Sequence, residues 1–400
     1  MTGVGDDHLS GRERGLPNPC LRVVGESDAI VWGMSFKERH LRAFARENVR
    51  PAGSSAAADA HSANLLFVRA GYVIGPDVVA GLVATRGAAL VLPADAHGAR
   101  EVVAIHATAE VESEASALIE LGTLGKDAAL PTALTAMEPD ELGSEYDQVL
   151  RKRAPPLVLS LSDNTLLDIE KITFAAVYKG ATDFVTKWCW PVPARWVTRW
   201  AAARRISPNT ITTLSLVLVV AATILFARGH FLSGIGVGWA MTFLDTVDGK
   251  LARVTFTSSR WGNIYDHGID LIHPPFWWWA WYHALESANG PSATLETALW
   301  IIVVGYVLGR LMEGLFIRAF KIETHVWHPV DYVFRTITAR RNPNLAILTV
   351  FAIAGRPEVG FFAVAAWTII SLTFHAVRLV QAALVTRRGG EVRSWLSESA

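Results

Sequence analysis

From residue 207 onward the chain carries six apolar segments: 210–227, 231–251, 264–282, 295–315, 345–354 with its flanks, and 360–384. A bilayer span needs roughly 20 apolar residues in a helix that rises about 1.5 Å per residue. In lipid every backbone N–H and C=O must be satisfied within its own segment, so such a succession folds as helices or not at all. This predicts an all-α, six-helix transmembrane domain over residues 207–386. Two segments are irregular. The fifth is short before Arg356, and the third contains Asp266, Asp270 and the pair Pro274–Pro275.

Basic residues set the orientation. They cluster before the first segment, between the second and third (Lys250, Arg253, Arg260), between the fourth and fifth (Arg318, Lys321, Arg335, Arg340, Arg341) and after the sixth (Arg387, Arg388). The alternate connections hold only Arg228 and Arg356, with none between His283 and Glu296. Both termini and the basic loops are therefore expected on the cytoplasmic side. Trp277–Trp279 and Trp281 are expected near the far end of the third segment, as an aromatic belt.

The formal net charge of zero hides a division. Residues 1–190 carry 18 basic and 25 acidic side chains, net −7, and residues 191–400 carry 19 and 12, net +7. Of 15 tryptophans, only Trp32 precedes Trp188. The front half reads as a soluble acidic domain. No charge excess argues for nucleic acid as a partner. Two cysteines, Cys20 and Cys189, cannot form a disulfide framework.

Within the front half, residues 1–18 read as a flexible tail that lacks the basic start and apolar run of a signal peptide. Residues 19–160 alternate short apolar runs with helical stretches, which predicts an α/β domain. Strands are expected over 21–24, 65–68, 89–92 and 101–111, and helices over 35–49 and 113–121. Pro155–Pro156 marks a hinge, and Ser162–Asp163–Asn164 is placed to cap a helix over 166–178. Residues 161–206 then link the two parts. Within them, 193–205 sets Trp196 and Trp200 among Arg195, Arg199, Arg204 and Arg205, the pattern of a basic amphipathic helix lying in a membrane interface. Residues 387–400 form a cytoplasmic tail.

The chemistry concentrates in residues 243–270, FLDTVDGKLARVTFTSSRWGNIYDHGID. Asp245 and Asp248 stand three apart, and Asp266 and Asp270 four apart, so on helices each pair shares a face. Carboxylates in an apolar segment are costly and are functional candidates by default. Four together repel unless cations join them. Hard oxygen ligands suit Mg²⁺ or Mn²⁺, which suit phosphate substrates. Gly249 and Gly262 let a nucleotide approach the backbone, and Arg253 is suited to hold a phosphate. The pattern Asp-x-x-Asp-Gly-x-x-Ala-Arg, eight residues, Gly-x-x-x-Asp-x-x-x-Asp has eight fixed letters, expected by chance about once in 10¹⁰ positions.

These residues resemble the signature of the CDP-alcohol phosphotransferase (CDP-alcohol phosphatidyltransferase) family, with no departure over roughly residues 207–384. The resemblance implies transfer of a substituted phosphate from a CDP-alcohol, of the CDP-diacylglycerol or CDP-inositol type, to an acceptor hydroxyl, with release of CMP. It implies that Asp245, Asp248, Asp266 and Asp270 hold two Mg²⁺ or Mn²⁺ ions and that Asp270 is the general base. It further implies that Asp245, Gly249, Ala252, Arg253 and Gly262 line the CDP site, and that the protein is a homodimer in the membrane. The segments 182–208, 325–329 and 338–344 look similar to the inositol-phosphate-using branch, in some members of which a cytidylyltransferase domain is fused in front. Arg310, Arg318, Lys321, Arg340 and Arg341 are then candidates for the phosphate of a phosphorylated polyol acceptor, against the plain positive-inside bias. Because the front half lacks an Ala-Gly-x-Gly-x-Arg loop, it reads as a degenerate, non-catalytic nucleotidyltransferase relative, with an unrelated regulatory or assembly domain as the alternative. His267 and His273 are expected to pack or hydrogen-bond rather than ligate. A transporter with intramembrane carboxylates and an inactive scaffold stand as alternatives to the enzyme.

Overall fold

The computed structural model describes residues 19–53, 64–126 and 128–397. The expected tail over 1–18 lies outside these residues. The chain divides into two compact units: residues 1–147 with 153–176, and residues 148–152 with 177–400.

The first unit is built on a seven-stranded mixed sheet. Its strands are β1 (Cys20–Val24), β2 (Arg50–Pro51), β3 (Asn64–Arg69), β4 (Ala88–Val91), β5 (Arg100–Thr108), β6 (Thr123–Leu124) and β7 (Thr135–Met137). The order is β7-β4-β5-β3-β1-β2, with β6 pairing β5 off this path. Strand β5 is antiparallel to β3 and β4, while β1 is parallel to both β2 and β3. The continuous apolar runs of β3 and β4 are buried, as expected for strands covered on both faces. Helices α1 (Phe36–Ala45), α2 (Pro76–Ala84) and α3 (Glu112–Leu121) connect them. Ser35 caps α1 by accepting from Glu38 N at 3.1 Å. In the sheet β1 lies between β2 and β3.

Two expectations in this unit are corrected. The strand over 101–111 ends at Thr108, and residues 109–111 form a 3₁₀ turn into α3. Helix α4 runs Leu166–Ala176, and its cap is Thr165, whose Oγ1 accepts from Asp168 N at 3.2 Å. The preceding 162–164 segment instead folds into a turn, with Asn164 Nδ2 donating to Ser160 O. Helix α4 packs on the sheet unit: Trp32 is buried and its Nε1 donates to Thr173 Oγ1 at 2.9 Å.

The second unit is helical: α5 (Pro191–Ala203), α6 (Pro208–Ala227), α7 (Phe231–Val254), α8 (Arg260–Asn289), α9 (Ala293–Phe320), α10 (Arg341–Ile353) and α11 (Pro357–Arg387). Serines Ser207, Ser259 and Ser292 cap α6, α8 and α9. Among the described residues α6, α9 and α11 are long and apolar enough to cross a membrane. The other three fall short for separate reasons. Helices α7 and α8 carry the carboxylates, and α10, with 13 residues, is about 20 Å long.

Small residues bring the helices together. A Cβ on Gly234 would meet the Phe226 ring at 2.5 Å, so glycine is what lets α6 and α7 close against each other. The core holds Phe226, Trp277, Trp281, Leu348 and Phe361. This corrects the aromatic-belt expectation: Trp277, Trp278 and Trp281 are buried, and only Trp279 of the four is exposed. The helical period decides it, since 277 and 281 share the inward face. Their indole N–H groups donate to Val219 O and Pro357 O. On helix α5, Trp196 and Trp200 are exposed and Arg204 stacks on Trp200 at 4.6 Å.

Candidate active site

Helices α7 and α8 bring the motif together. One carboxylate oxygen from each of Asp245, Asp248 and Asp266 lies within 4.8 Å of the others. Asp270, one turn after Asp266, joins them through Arg341, the first residue of α10. Arg341 Nη2 donates to Asp245 Oδ2 at 2.5 Å, and Nη1 donates to Asp270 Oδ1. Thr212 of α6 donates to Asp248 Oδ2 at 2.6 Å, while Asp248 Oδ1 is buried with no hydrogen-bond partner. A buried acceptor without a partner is expensive, and in a carboxylate cluster it marks a place where a cation fits. Three clustered carboxylates, one of them with an orphaned oxygen, form a hard, all-oxygen donor set suited to Mg²⁺ or Mn²⁺.

Exposure separates the four carboxylates. The Asp245 side chain is 17% exposed and that of Asp270 41%. Asp248 is buried, and Asp266 stands between these limits with His267 Nδ1 at 3.6 Å. His267 and His273 each hydrogen-bond a helix carbonyl, of Asn263 and Ile269 respectively; His267 is exposed and His273 buried.

The spaces at the two glycines are used by this chain's own side chains. A Cβ on Gly249 would lie 3.2 Å from Arg253 Nη2, and one on Gly262 would lie 2.8 Å from Asn209 Oδ1. Arg253 lies one turn beyond Gly249 on α7, and its Nε has no partner. Ala252 is one turn from Asp248 on the same helix.

The four candidate phosphate arginines do not act alike. Arg340 donates to Glu313, and Arg310 lies 3.2 Å from the same carboxylate. His325 Nε2 is 3.3 Å from Glu313, and His375 completes this second cluster. Arg341 belongs to the aspartates instead. Arg318 is exposed, about 12 Å further along α9 than Arg310. Tyr306, Arg340 and Arg341 line one crevice with Pro274.

Loop 177–184 and its continuation brace the site. Asp183 accepts from Thr186 N and Asn342 Nδ2, both at 3.0 Å, and so ties this loop to the start of α10. Burial pushes its carboxyl up, but Arg335 and these donors outweigh burial and hold it below the usual range. Loss of hydration, then Arg151 and Arg253, push the Lys179 ammonium down to about 8.

Sequence reasoning missed Thr212, Tyr306 and the Glu313 cluster. Glu313 carried a signal, being a carboxylate inside an apolar segment three residues after Arg310. Thr212 carried none, since a Ser or Thr hydroxyl in a helix usually bonds its own backbone, and Tyr306 reads as one more aromatic of an apolar segment.

Comparison with known proteins finds likenesses in this part of the chain. Residues 205–374 match the family model for CDP-alcohol phosphatidyltransferase. Part of the chain is 35% identical over 83 residues to cholinephosphotransferase 1 of Danio rerio, covering 18% of this chain and 22% of that protein. It is 39% identical over 70 residues to phosphatidylinositol phosphate synthase of Streptomyces avermitilis, covering 17% and 29%. The alignments thus span less than a third of the length of these curated relatives. A crystal structure of Mycobacterium tuberculosis phosphatidylinositol phosphate synthase with CDP-DAG bound gives a TM-score of 0.38 at 18% identity, over 46% of this chain and 91% of that one.

Proposed function

We propose that the protein is an integral membrane transferase of phospholipid biosynthesis. It moves a substituted phosphate from a CDP-alcohol, of the CDP-diacylglycerol or CDP-inositol type, to an acceptor hydroxyl, releasing CMP. The observation that carries this is the convergence of Asp245, Asp248 and Asp266 within 4.8 Å, with Asp270 tied in through Arg341. In this reading α6–α11 are six membrane spans, with the carboxylate ends, the basic loops and both termini cytoplasmic. The active form is a homodimer.

The four aspartates would hold two divalent ions, Mg²⁺ or Mn²⁺. When bound, these neutralise charge on the diphosphate and stabilise the departing CMP. The chain's own residues do the rest. Thr212 fixes one oxygen of Asp248 and leaves the other directed to ligand. Arg253, Gly249, Ala252 and Gly262 line the nucleotide side. Asp270 is the most exposed of the paired carboxylates, and a base must meet an incoming alcohol. It takes the hydroxyl proton as that oxygen attacks phosphorus and the bond to CMP breaks. Arg310 and Arg340 share one carboxylate, so the pair keeps a positive charge that suits a phosphorylated acceptor.

The α/β unit is, in this proposal, a nucleotidyltransferase-like domain without turnover of its own. Arg69 supports this: it ends β3, and its guanidinium bonds Tyr72 Oη and Gly122 O across the strand end.

The test is CMP release from the purified full chain in detergent with Mg²⁺ or Mn²⁺, against panels of CDP-alcohols and acceptors. Asp270→Asn is expected to lower turnover at least 10³-fold while CDP-donor binding persists. Wild-type turnover in that variant would remove the base assignment. No CMP release under any donor and acceptor would favour a transporter or a scaffold.

A further inference from the structure

Helix α8 contains two adjacent prolines one turn after Asp270. In an α-helix the carbonyl of residue i accepts from the N–H of residue i+4. Proline has no N–H. Pro274 therefore leaves the carbonyl of Asp270 without its helical donor, and Pro275 does the same to Leu271. Both carbonyls belong to the stretch of backbone that aims the Asp270 side chain.

One side chain from the neighbouring helix serves both. Tyr306 of α9 donates its hydroxyl to Leu271 O at 3.0 Å and shares it with Asp270 O at 3.3 Å. The ring is itself held in place, with the guanidinium of Arg310, one turn on, lying 5.5 Å over its face. We propose that Tyr306 is a positioning residue for the reaction. Its hydroxyl replaces the two amide donors that Pro274 and Pro275 remove, and so fixes the backbone from which Asp270 reaches Arg341 and the substrate. This rests on the proposed role of Asp270.

A Pro pair at this point is otherwise a liability, since each proline also presses its ring on the carbonyl four residues back. With Tyr306 supplying the bond from outside, the placement of Asp270 depends on the α8–α9 contact. An acceptor entering the crevice lined by Tyr306, Arg340 and Arg341 meets the residue that sets the base.

The test is a cycle of variants assayed by CMP release in the full chain. Tyr306→Phe keeps the ring and deletes only the donor. It is expected to lower kcat about tenfold, with KM for the CDP-alcohol within twofold. Pro274→Ala with Pro275→Ala restores the two backbone donors, and in that background Tyr306→Phe is expected to change kcat by less than threefold. A merely structural tyrosine would cost the same in both backgrounds, and that result overturns the proposal, as does unchanged kcat in Tyr306→Phe alone. If Tyr306→Phe does not fold by itself, the pair in the alanine background decides: similar kcat supports the proposal, and a tenfold loss overturns it. Asp270→Asn separates the two levels. Wild-type turnover there removes the reading of the site, whereas an inactive Asp270→Asn beside a fully active Tyr306→Phe removes only the role of Tyr306.

Discussion

Two polar clusters, one in each unit of this chain, are completed in different ways. In the α/β unit the carboxyl end of β3 carries Arg69, and its partners close on one another: Arg69 bonds Tyr72 Oη at 3.1 Å and Gly122 O at 3.2 Å, and Tyr72 donates to Glu101 at 2.6 Å. A Cβ on Gly122 would strike the guanidinium at 2.8 Å, so the chain has made room for it. In the helical unit the aspartates are crowded, and Asp248 keeps an oxygen with no partner. A closed network lowers the energy of the fold and asks for nothing more. An open one is tolerated where a ligand completes it. By that criterion a ligand is expected at the aspartates rather than at Arg69.

The sharpest way to break this contrast is Arg341→Leu. It removes the one cation that joins Asp245 to Asp270 and leaves two carboxylates facing each other. The charge left on Asp245, 17% exposed, then stays behind uncompensated. Turnover is expected to fall 10²- to 10³-fold, and Arg341→Lys to recover part of it. Wild-type CMP release from Arg341→Leu would mean that the cluster is held together by other means.

Burial in the α/β unit predicts acid sensitivity. Burial, then the neighbouring Arg39 cation, push the imidazole of His40 down to about 4. The unfolded chain takes up a proton near pH 6.5 and the folded chain does not, so the contribution of neutral His40 is full above 6.5 and is lost as pH falls toward 4. The loss is on the order of 3 kcal/mol over that window. The ¹⁹F signal of 5-fluorotryptophan at Trp32, buried in this unit, reports it through the denaturant midpoint at pH 7 and pH 4.5. His40→Leu is expected to flatten the dependence, and an equal slope in the variant would assign it to other groups.

Arg69→Leu sharpens the comparison from the other side. It leaves Gly122 O and Tyr72 Oη short of a donor, at about 1–3 kcal/mol. Amide exchange in β3 and β5 is expected to speed up accordingly, while CMP release stays within twofold. Lost turnover with unchanged exchange would restore a functional role to the strand end.

The sequence carried these two halves with unequal clarity. Helices α6, α9 and α11 are plain in hydropathy, and β3 and β4 show as apolar runs because both their faces are covered. The four aspartates were legible because an apolar segment does not keep carboxylates without a reason. What stayed hidden depends on three-dimensional phase. Trp277, Trp278 and Trp281 looked like a belt, but their side of α8 turns inward. Arg341 looked like one more basic residue of a cytoplasmic loop, and nothing in its neighbours in sequence says that the start of α10 meets α7 and α8. The cap of α4 lay one residue past the three polar ones that seemed to supply it, because a cap is fixed by where helical backbone begins rather than by composition.

The smallest effect concerns the hydroxyl of Thr212, which touches the open network without closing it. It donates to Asp248 Oδ2 at 2.6 Å and also to Pro208 O at 3.1 Å in its own helix. Thr212→Val keeps the shape and removes the donor. The freed carboxylate oxygen can turn toward the cluster, so the cost is that of an unfixed side chain and of one hydrogen bond to a charged group, about 1–2 kcal/mol. The Mn²⁺ concentration for half-maximal CMP release is expected to rise three- to tenfold with kcat within threefold, and Mn²⁺ binding followed by electron paramagnetic resonance is expected to weaken in step. If kcat falls while Mn²⁺ affinity holds, Thr212 orients Asp248 for the transfer step rather than for the ion. An unchanged enzyme would show that Asp248 is already fixed by its burial between α6 and α7, and the two units would then differ only in which polar atoms they leave without partners.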